Sequence, residues 1–380
     1  MSTVVTIGGG AAGAAAARAL ETKVGGKHDL VLIEQEPEVF FPPGLLWYLT
    51  DRRELPDFTK RIADMARGGI EVIWGKAVKI DTSRNTVHLG DGTAIAYDYL
   101  VLAPGADIST QVSPELDIAG YCLYSLDGIS ALKDTLEESV RGEFILLVTD
   151  LPVKCPPAVY EAAFLIHEWA QKRGRRGIRI SIYTPEPFPF EAAGPRIGRT
   201  IKKKLEARGI ALHTRQQLQS VDTGHRTIHF ETGEVPFDLL GYVPRHTAPP
   251  IARNSHLADE TGWIPVDPFT LQTVQPNIYA IGDVTRIPMP SSGLDMPKTG
   301  AFAHFQAWVV ADNLASRLAH KPPSRYFGGK APCIVELGVT GFGFYGDYYG
   351  KEPRFRVFPE SRLWVKGKHM VERLWLNEHS

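Results

Sequence analysis

The chain has 380 residues, 43% of them hydrophobic and 22% charged, and a formal net charge of −1. That length suits two or three soluble domains, and the near-neutral balance gives no reason to expect a nucleic-acid partner. Three cysteines with no Cys-x-x-Cys pair speak against a disulfide scaffold and against a structural metal site.

No apolar run reaches the roughly 20 residues that a membrane-spanning helix needs. The amino terminus opens directly into the apolar stretch Thr3–Ile7, with no charged-then-apolar leader, so export by a signal peptide is not expected. Thr3–Ile7 reads as a buried strand. It runs into Gly8-Gly9-Gly10-Ala11-Ala12-Gly13 and then an alanine-rich helix to Leu20. Strand, glycine-rich turn and helix in this order read as a dinucleotide site. Gly8 permits the tight turn, Gly10 lets the backbone approach a diphosphate, and Gly13, with Ala12 before it, lets the helix pack close to the strand. The helix amino terminus adds N–H donors and a positive dipole. The next strand, Asp29–Ile33, ends in Glu34, an acid suited to bonding ribose hydroxyls.

Later features favour FAD as the dinucleotide. Tyr99–Gly105 is an apolar strand ending in a small-residue turn that includes Ala103 and Gly105. It resembles the strand that returns the chain to the first domain in two-dinucleotide-domain flavoproteins. Asn277–Asp283 is a second such strand, and by the same resemblance Gly282 and Asp283 contact the FAD phosphate and ribitol. A helix beginning near Lys298-Thr299-Gly300 then points its amino terminus at the flavin pyrimidine edge. Lys298 has two readings, a flavin contact or a solvated surface charge.

Residues 110 to 250 carry another αβ pattern: strand Phe144–Val148, helix Pro156–Gln171, strand Arg179–Tyr183, helix Pro195–Arg208 and short strand Ile210–His213. The turn after its first strand is Thr149–Pro157, where Cys155, Pro156 and Pro157 stand in place of the glycines that admit a diphosphate. The following strand ends at Thr184-Pro185, not at a ribose-binding acid. This domain keeps the architecture and is expected to have lost nicotinamide binding.

Five motifs together resemble the sulfide:quinone oxidoreductase family and its sister, the flavoprotein subunit of flavocytochrome c sulfide dehydrogenase. They are Gly8–Gly13, Lys154-Cys-Pro-Pro-Ala-Val-Tyr-Glu161, Ala280–Asp283, Met296–Gly300 and Pro332-Cys-Ile-Val-Glu-Leu-Gly338. The resemblance implies an α/β fold with two doubly wound, Rossmann-like domains of the FAD/NAD-linked disulfide reductase type, plus a C-terminal amphipathic segment. The expected boundaries are 1–108 with 265–325 for the FAD domain, 109–264 for the second domain and 326–380 for the C-terminal region. It implies that Cys155 and Cys333 form a redox disulfide, or hold a sulfur chain, over FAD. Hydrosulfide attacks one sulfur, the other leaves as thiolate, and two electrons end on FAD and then a quinone. Cys122 is either a third sulfur-handling or flavin-attaching cysteine or an ordinary buried one. Glu161 is either a base near the sulfurs or a helix-surface acid. His167 and His304 are candidate proton carriers or structural residues. The rivals are a type II NADH dehydrogenase relative and a flavoprotein subunit that docks a cytochrome.

The tail from Arg354 has Leu363, Trp364, Met370, Val371, Leu374 and Trp375 at helical spacing, interleaved with Arg362, Lys366, Lys368, His369 and Arg373. That pattern suits a helix lying in a membrane interface with its tryptophans at headgroup depth, or a helix packed on the protein's own core or a dimer partner. Gly367 is expected to interrupt it. Phe342, Phe344 and Tyr345 are expected to wall a quinone pocket. The protein is thus expected to be a peripheral, monotopic membrane protein, on the cytoplasmic face, and a homo-oligomer.

Overall fold

The fold is described from a computed structural model, over residues 1–109, 115–138, 141–351 and 353–379. The first unit is built on strands β1 (Thr3–Ile7), β2 (Asp29–Glu34), β3 (Ile70–Trp74) and β4 (Tyr99–Leu102). They are parallel, and β1 is covered on both faces, which is why it is a near-continuous apolar run rather than an alternating one. Helix α1 (Ala11–Val24) buries Ala14, Ala15, Ala16 and Ala17, whose small side chains allow close packing. Helix α2 (Gly44–Leu49) carries Trp47, which is fully buried. A three-stranded antiparallel meander (Ala77–Asp81, Thr86–Leu89, Ala94–Ala96) precedes β4.

The second unit repeats this build. Its parallel strands are β5 (Tyr121–Cys122), β6 (Arg141–Val148), β7 (Gly177–Tyr183), β8 (Ala211–His213) and β9 (Leu239–Val243), in the order β5-β9-β6-β7-β8. Helix α3 (Ala158–Lys172) packs on one face, and a second meander (Leu218–Asp222, Thr227–Phe230, Gly233–Pro236) precedes β9. The chain then returns to the first unit. Strand Ile278–Ala280 pairs with β4, and helix α4 (Gly300–Leu318) packs on α1.

The last segment is an antiparallel sheet of β10 (Lys330–Glu336), β11 (Gly341–Asp347) and β12 (Arg354–Val357), crossed by helix α5 (Arg362–Glu378). Helix α5 runs unbroken through Gly367, correcting the expected interruption. A Cβ there would come no nearer than 3.6 Å to Ile334, so the residue costs helix propensity without a steric break. The tryptophans are corrected too. Trp364 lies on Gly343, where a Cβ would stand 2.4 Å from the indole, and Trp375 is buried against Phe41, with ring centroids 5.7 Å apart. What faces outward is an apolar row: Leu363, Met370, Val371 and Leu374 are 71%, 64%, 49% and 54% exposed. Among the described residues no helix is long and apolar enough to cross a membrane.

This orientation separates two neighbouring residues by stability. Trp375→Ala should cost about 3–5 kcal/mol, and Leu374→Ala should stay within about 0.5 kcal/mol. Urea unfolding of both variants checks this; equal losses would place Trp375 on the surface.

Candidate functional site

The turn between β1 and α1 shows why its glycines are required. Gly8 has φ +96°, and a Cβ on it would lie 2.4 Å from the Ala103 carbonyl oxygen; one on Gly13 would lie 1.8 Å from the Gly8 oxygen. At Gly10 a Cβ would meet nothing within 4 Å, so this side of the turn is open. Glu34, at the end of β2, accepts the Gly9 N–H at 2.6 Å through Oε2 and those of Gln35 and Glu36 through Oε1. Gly282, with φ +74°, brings its backbone against Ala12, whose Cβ would be 3.1 Å from one built on it. Gly105, just past Ala103, also has positive φ, at +76°.

The cavity at the amino end of α4 is lined by Gly282, Asp283, Lys298, Thr299, Phe302 and Gln306. Thr299 caps the helix, its hydroxyl accepting the Phe302 N–H at 3.4 Å. Burial pushes the Asp283 carboxyl up, and the Lys154 and Lys298 charges pull it down. These residues fit FAD. The open glycine turn would hold the diphosphate, Glu34 the ribose, and Gly282, Asp283 and the end of α4 the ribitol and ring. Lys298 is not a solvated charge. Its buried Nζ donates to the Asp283 and Thr285 carbonyls at 2.6 and 3.1 Å, and lies 3.5 Å from the Trp263 ring centre. Burial lowers it to about 8. Its ammonium holds the Asp283 loop at the wall of this cavity.

The matching turn of the second unit is filled. Glu186 is buried beyond β7 and accepts the Tyr160 hydroxyl of α3 at 2.6 Å. Phe190, in the left-handed region at φ +54°, is buried beside them. Cys155 takes the place of the diphosphate glycines. It has φ +47°, and its N–H donates to the Lys298 carbonyl at 2.6 Å, tying this loop to the amino end of α4. The Tyr124 hydroxyl donates to the Lys154 carbonyl at 2.7 Å and lies 3.2 Å from that of Cys155.

Cys333 lies on β10 opposite Phe344. It stands with Cys155 in one electrostatic environment. Burial pushes the Cys155 thiol up to about 12, Glu161 adds to this, and Lys368 opposes it. Burial, Cys155 and Glu161 push Cys333 up as well, again opposed by Lys368. Both are free thiols in this structure.

Glu161 is not a surface acid. It is 3% exposed, and its Oε1 accepts the Glu336 N–H at 2.7 Å and Lys368 Nζ at 2.8 Å. Burial pushes it up and Lys368 pulls it down. Glu336 is fully buried and accepts the Trp47 indole N–H at 2.9 Å, with Arg52 Nη1 3.7 Å away. Sequence reasoning missed Lys368, Glu336, Trp47 and Arg52. Lys368 read as one of several tail cations, and nothing local distinguishes it.

Other candidates lie elsewhere. Cys122 packs with Tyr242 and Leu116 against one face of the β6 sheet, while Cys333 packs with the core on the opposite face. Burial raises its thiol too. Phe342 and Phe344 do not wall an open pocket. Strand alternation turns both into the core, at 0% and 1% exposure, and leaves Tyr345 outside at 44%. His304 lies 3.2 Å from Glu378, and His167 is a half-buried helix residue near Arg208 and Glu168.

Lys368→Met removes a cation that opposes burial at both thiols. The pH profile of alkylation of the reduced protein should move upward, and the unpaired Glu161 should cost about 3–5 kcal/mol. An unmoved profile would show that Lys368 does not act on the sulfurs.

The pyridine nucleotide-disulphide oxidoreductase family matches residues 2–307 of the chain. The chain is 24% identical over 362 residues to a mitochondrial sulfide:quinone oxidoreductase of Mus musculus, covering 89% of this chain and 76% of that one. It is 25% identical over 380 residues to a sulfide-quinone reductase of Aquifex aeolicus, covering 95% and 87%. The crystal structure of the sulfide:quinone oxidoreductase from Aquifex aeolicus superposes with a TM-score of 0.90 at 23% identity, covering 100% of this chain and 92% of that one. The chain belongs to the pyridine nucleotide-disulphide oxidoreductase family and is an FAD-binding flavoprotein, similar along nearly its whole length to sulfide:quinone oxidoreductases.

Proposed function

We propose that the protein oxidises sulfide and passes the electrons through FAD to a quinone. The observation that carries this reading is that half-buried Cys155 and Cys333 share one electrostatic environment with Glu161 and Lys368, with Cys155 hydrogen-bonded to Lys298 of the cavity at the amino end of α4. The filled turn of the second unit supports sulfur, not a nicotinamide, as the electron source.

In this reading the oxidised pair is a disulfide. Hydrosulfide attacks one sulfur, the S–S bond breaks, and the other cysteine leaves as a thiolate holding the bonding electron pair. In this reading Glu161 takes the proton of the incoming sulfide, and Lys368 stabilises the thiolate. A second sulfide or a thiol then removes the persulfide sulfur as sulfane sulfur. Bound FAD supplies a two-electron carrier between the sulfur pair and the quinone. The outward row Leu363, Met370, Val371 and Leu374 supports peripheral attachment to a membrane, from which a quinone would come.

Anaerobic mixing with sulfide should bleach the flavin, and mixing with NADH should not; the reverse result would make the protein an NADH dehydrogenase. Cys155→Ser and Cys333→Ser should each abolish sulfide-driven bleaching while retaining FAD, and a wild-type rate in either would remove the disulfide mechanism. Replacing both Leu363 and Leu374 with Glu should weaken co-sedimentation with anionic vesicles at least about tenfold. Unchanged binding would exclude α5 as the attachment face.

A further inference from the structure

Gly9, in the middle of the diphosphate turn, is held on both sides. Its N–H donates to Glu34 Oε2 at 2.6 Å, and its carbonyl oxygen lies 3.2 Å from His379 Nε2. His379 is fully buried just past α5, and its other ring nitrogen, Nδ1, lies 2.8 Å from the Trp375 carbonyl oxygen. Both ring nitrogens therefore face carbonyl oxygens, which only accept. A neutral imidazole has one N–H and satisfies one of them; the imidazolium satisfies both. Packing fixes the ring there. Trp375 lies against it with centroids 3.9 Å apart, and at the end of α5 Glu378 Oε2 lies 3.2 Å from His304 of α4.

The charges around the ring come from three elements. Burial pushes its proton affinity down, while the Trp375, Gly9 and Gly10 backbone and the Glu378 carboxylate of its own segment push it up. Glu34 of β2 holds the N–H of the same Gly9, and His304 of α4 faces Glu378. A diphosphate on this turn adds negative charge to the segment whose carbonyl the ring already holds. In a partly buried setting that charge favours the protonated ring.

We propose that His379 is a cofactor-positioning residue that takes up a proton when FAD binds, so that the C-terminal helix brings a cation to the diphosphate turn. This rests on FAD binding alone and stands or falls independently of the sulfur chemistry. The sign follows from linkage. If the ring holds its proton more tightly in the FAD complex than in the free protein, FAD binds more tightly as pH falls between the two pKa values. Burial puts the free-protein value below its ordinary one, so affinity weakens as pH rises from there to the higher value of the complex.

The test is calorimetric titration of the full-length apoprotein with FAD at about pH 6.5, in two buffers of different ionisation heat. The wild type should take up a proton, with Kd weakening by up to about tenfold per pH unit across the window. His379→Gln keeps one N–H for Gly9 but cannot be protonated, so it should take up correspondingly less and lose that pH dependence. Equal uptake and equal pH dependence in the two proteins would overturn the proposal. Histidine ring nitrogen NMR of the wild type gives a second answer that needs no variant. A His379 resonance moving to the imidazolium position on FAD addition supports the proposal, and a ring that stays neutral overturns it.

Discussion

The buried ion pair between Lys368 and Glu161 holds three segments in one arrangement. Lys368 comes from the last helix, Glu161 from the first turn of α3, and Glu336, whose N–H also bonds Glu161, from β10. A charge taken out of water costs several kcal/mol unless a partner and hydrogen bonds offset it. Neither helix can move away without leaving such a charge unpaired, and β10 cannot without taking from Glu161 the hydrogen bond of the Glu336 N–H. Cys155 stands just before α3 and Cys333 lies on β10, so fixing these segments fixes the two sulfurs. Through Glu336 the same constraint reaches Trp47 of α2 and so ties in the first unit.

The two doubly wound units have the same sheet and meander but use their first turns differently. In the first, glycines interlock so closely that Gly13 admits no side chain, and Gly10 leaves one face open. In the second, Cys155 takes the left-handed position and hydrogen-bonds across to Lys298, while Tyr160 and Glu186 fill the space beyond. One unit is shaped to hold a dinucleotide, and the other carries a thiol to its edge. At this edge a backbone hydrogen bond joins them, supported by the Tyr124 hydroxyl on the Lys154 carbonyl, and elsewhere Asp51 and Arg52 of the first unit meet Trp169, Arg173 and Glu168 of the second.

Helix α5 is arranged opposite to an ordinary surface helix. Lys368 and Glu372 point inward, where Lys368 meets Glu161 and Glu372 meets Arg53 at 3.0 Å, while leucine, methionine and valine point outward. An amphipathic pattern shows that a helix has two faces; it does not say which one the rest of the chain can satisfy. Here the core offers carboxylates and glycine gaps, so a lysine and two tryptophans go inward. The same helix ends on the diphosphate turn through His379.

Much of the fold was legible because its signals are local. The strands on either side of the glycine turn, the acid at Glu34, and the Cys-Pro-Pro turn each occupy a few consecutive residues whose chemistry is unambiguous. The element boundaries found, such as α3 at Ala158–Lys172, lie within a few residues of those the apolar spacing predicts. The site was legible only in part. Alternation in Gly341–Tyr345 could not say which face meets the core, so Phe342 and Phe344 were read as a wall and are packing. The sequence by itself determined two dinucleotide-type units, one with its glycines and one without, because turn geometry depends on the residues in the turn. Only the tertiary structure decided that Lys368 belongs beside the sulfurs, that Glu336 meets Glu161 and Trp47, that α5 turns its apolar row outward, and that His379 reaches Gly9. Those pairings join residues far apart in the chain, and their energies come from burial, which no local pattern records.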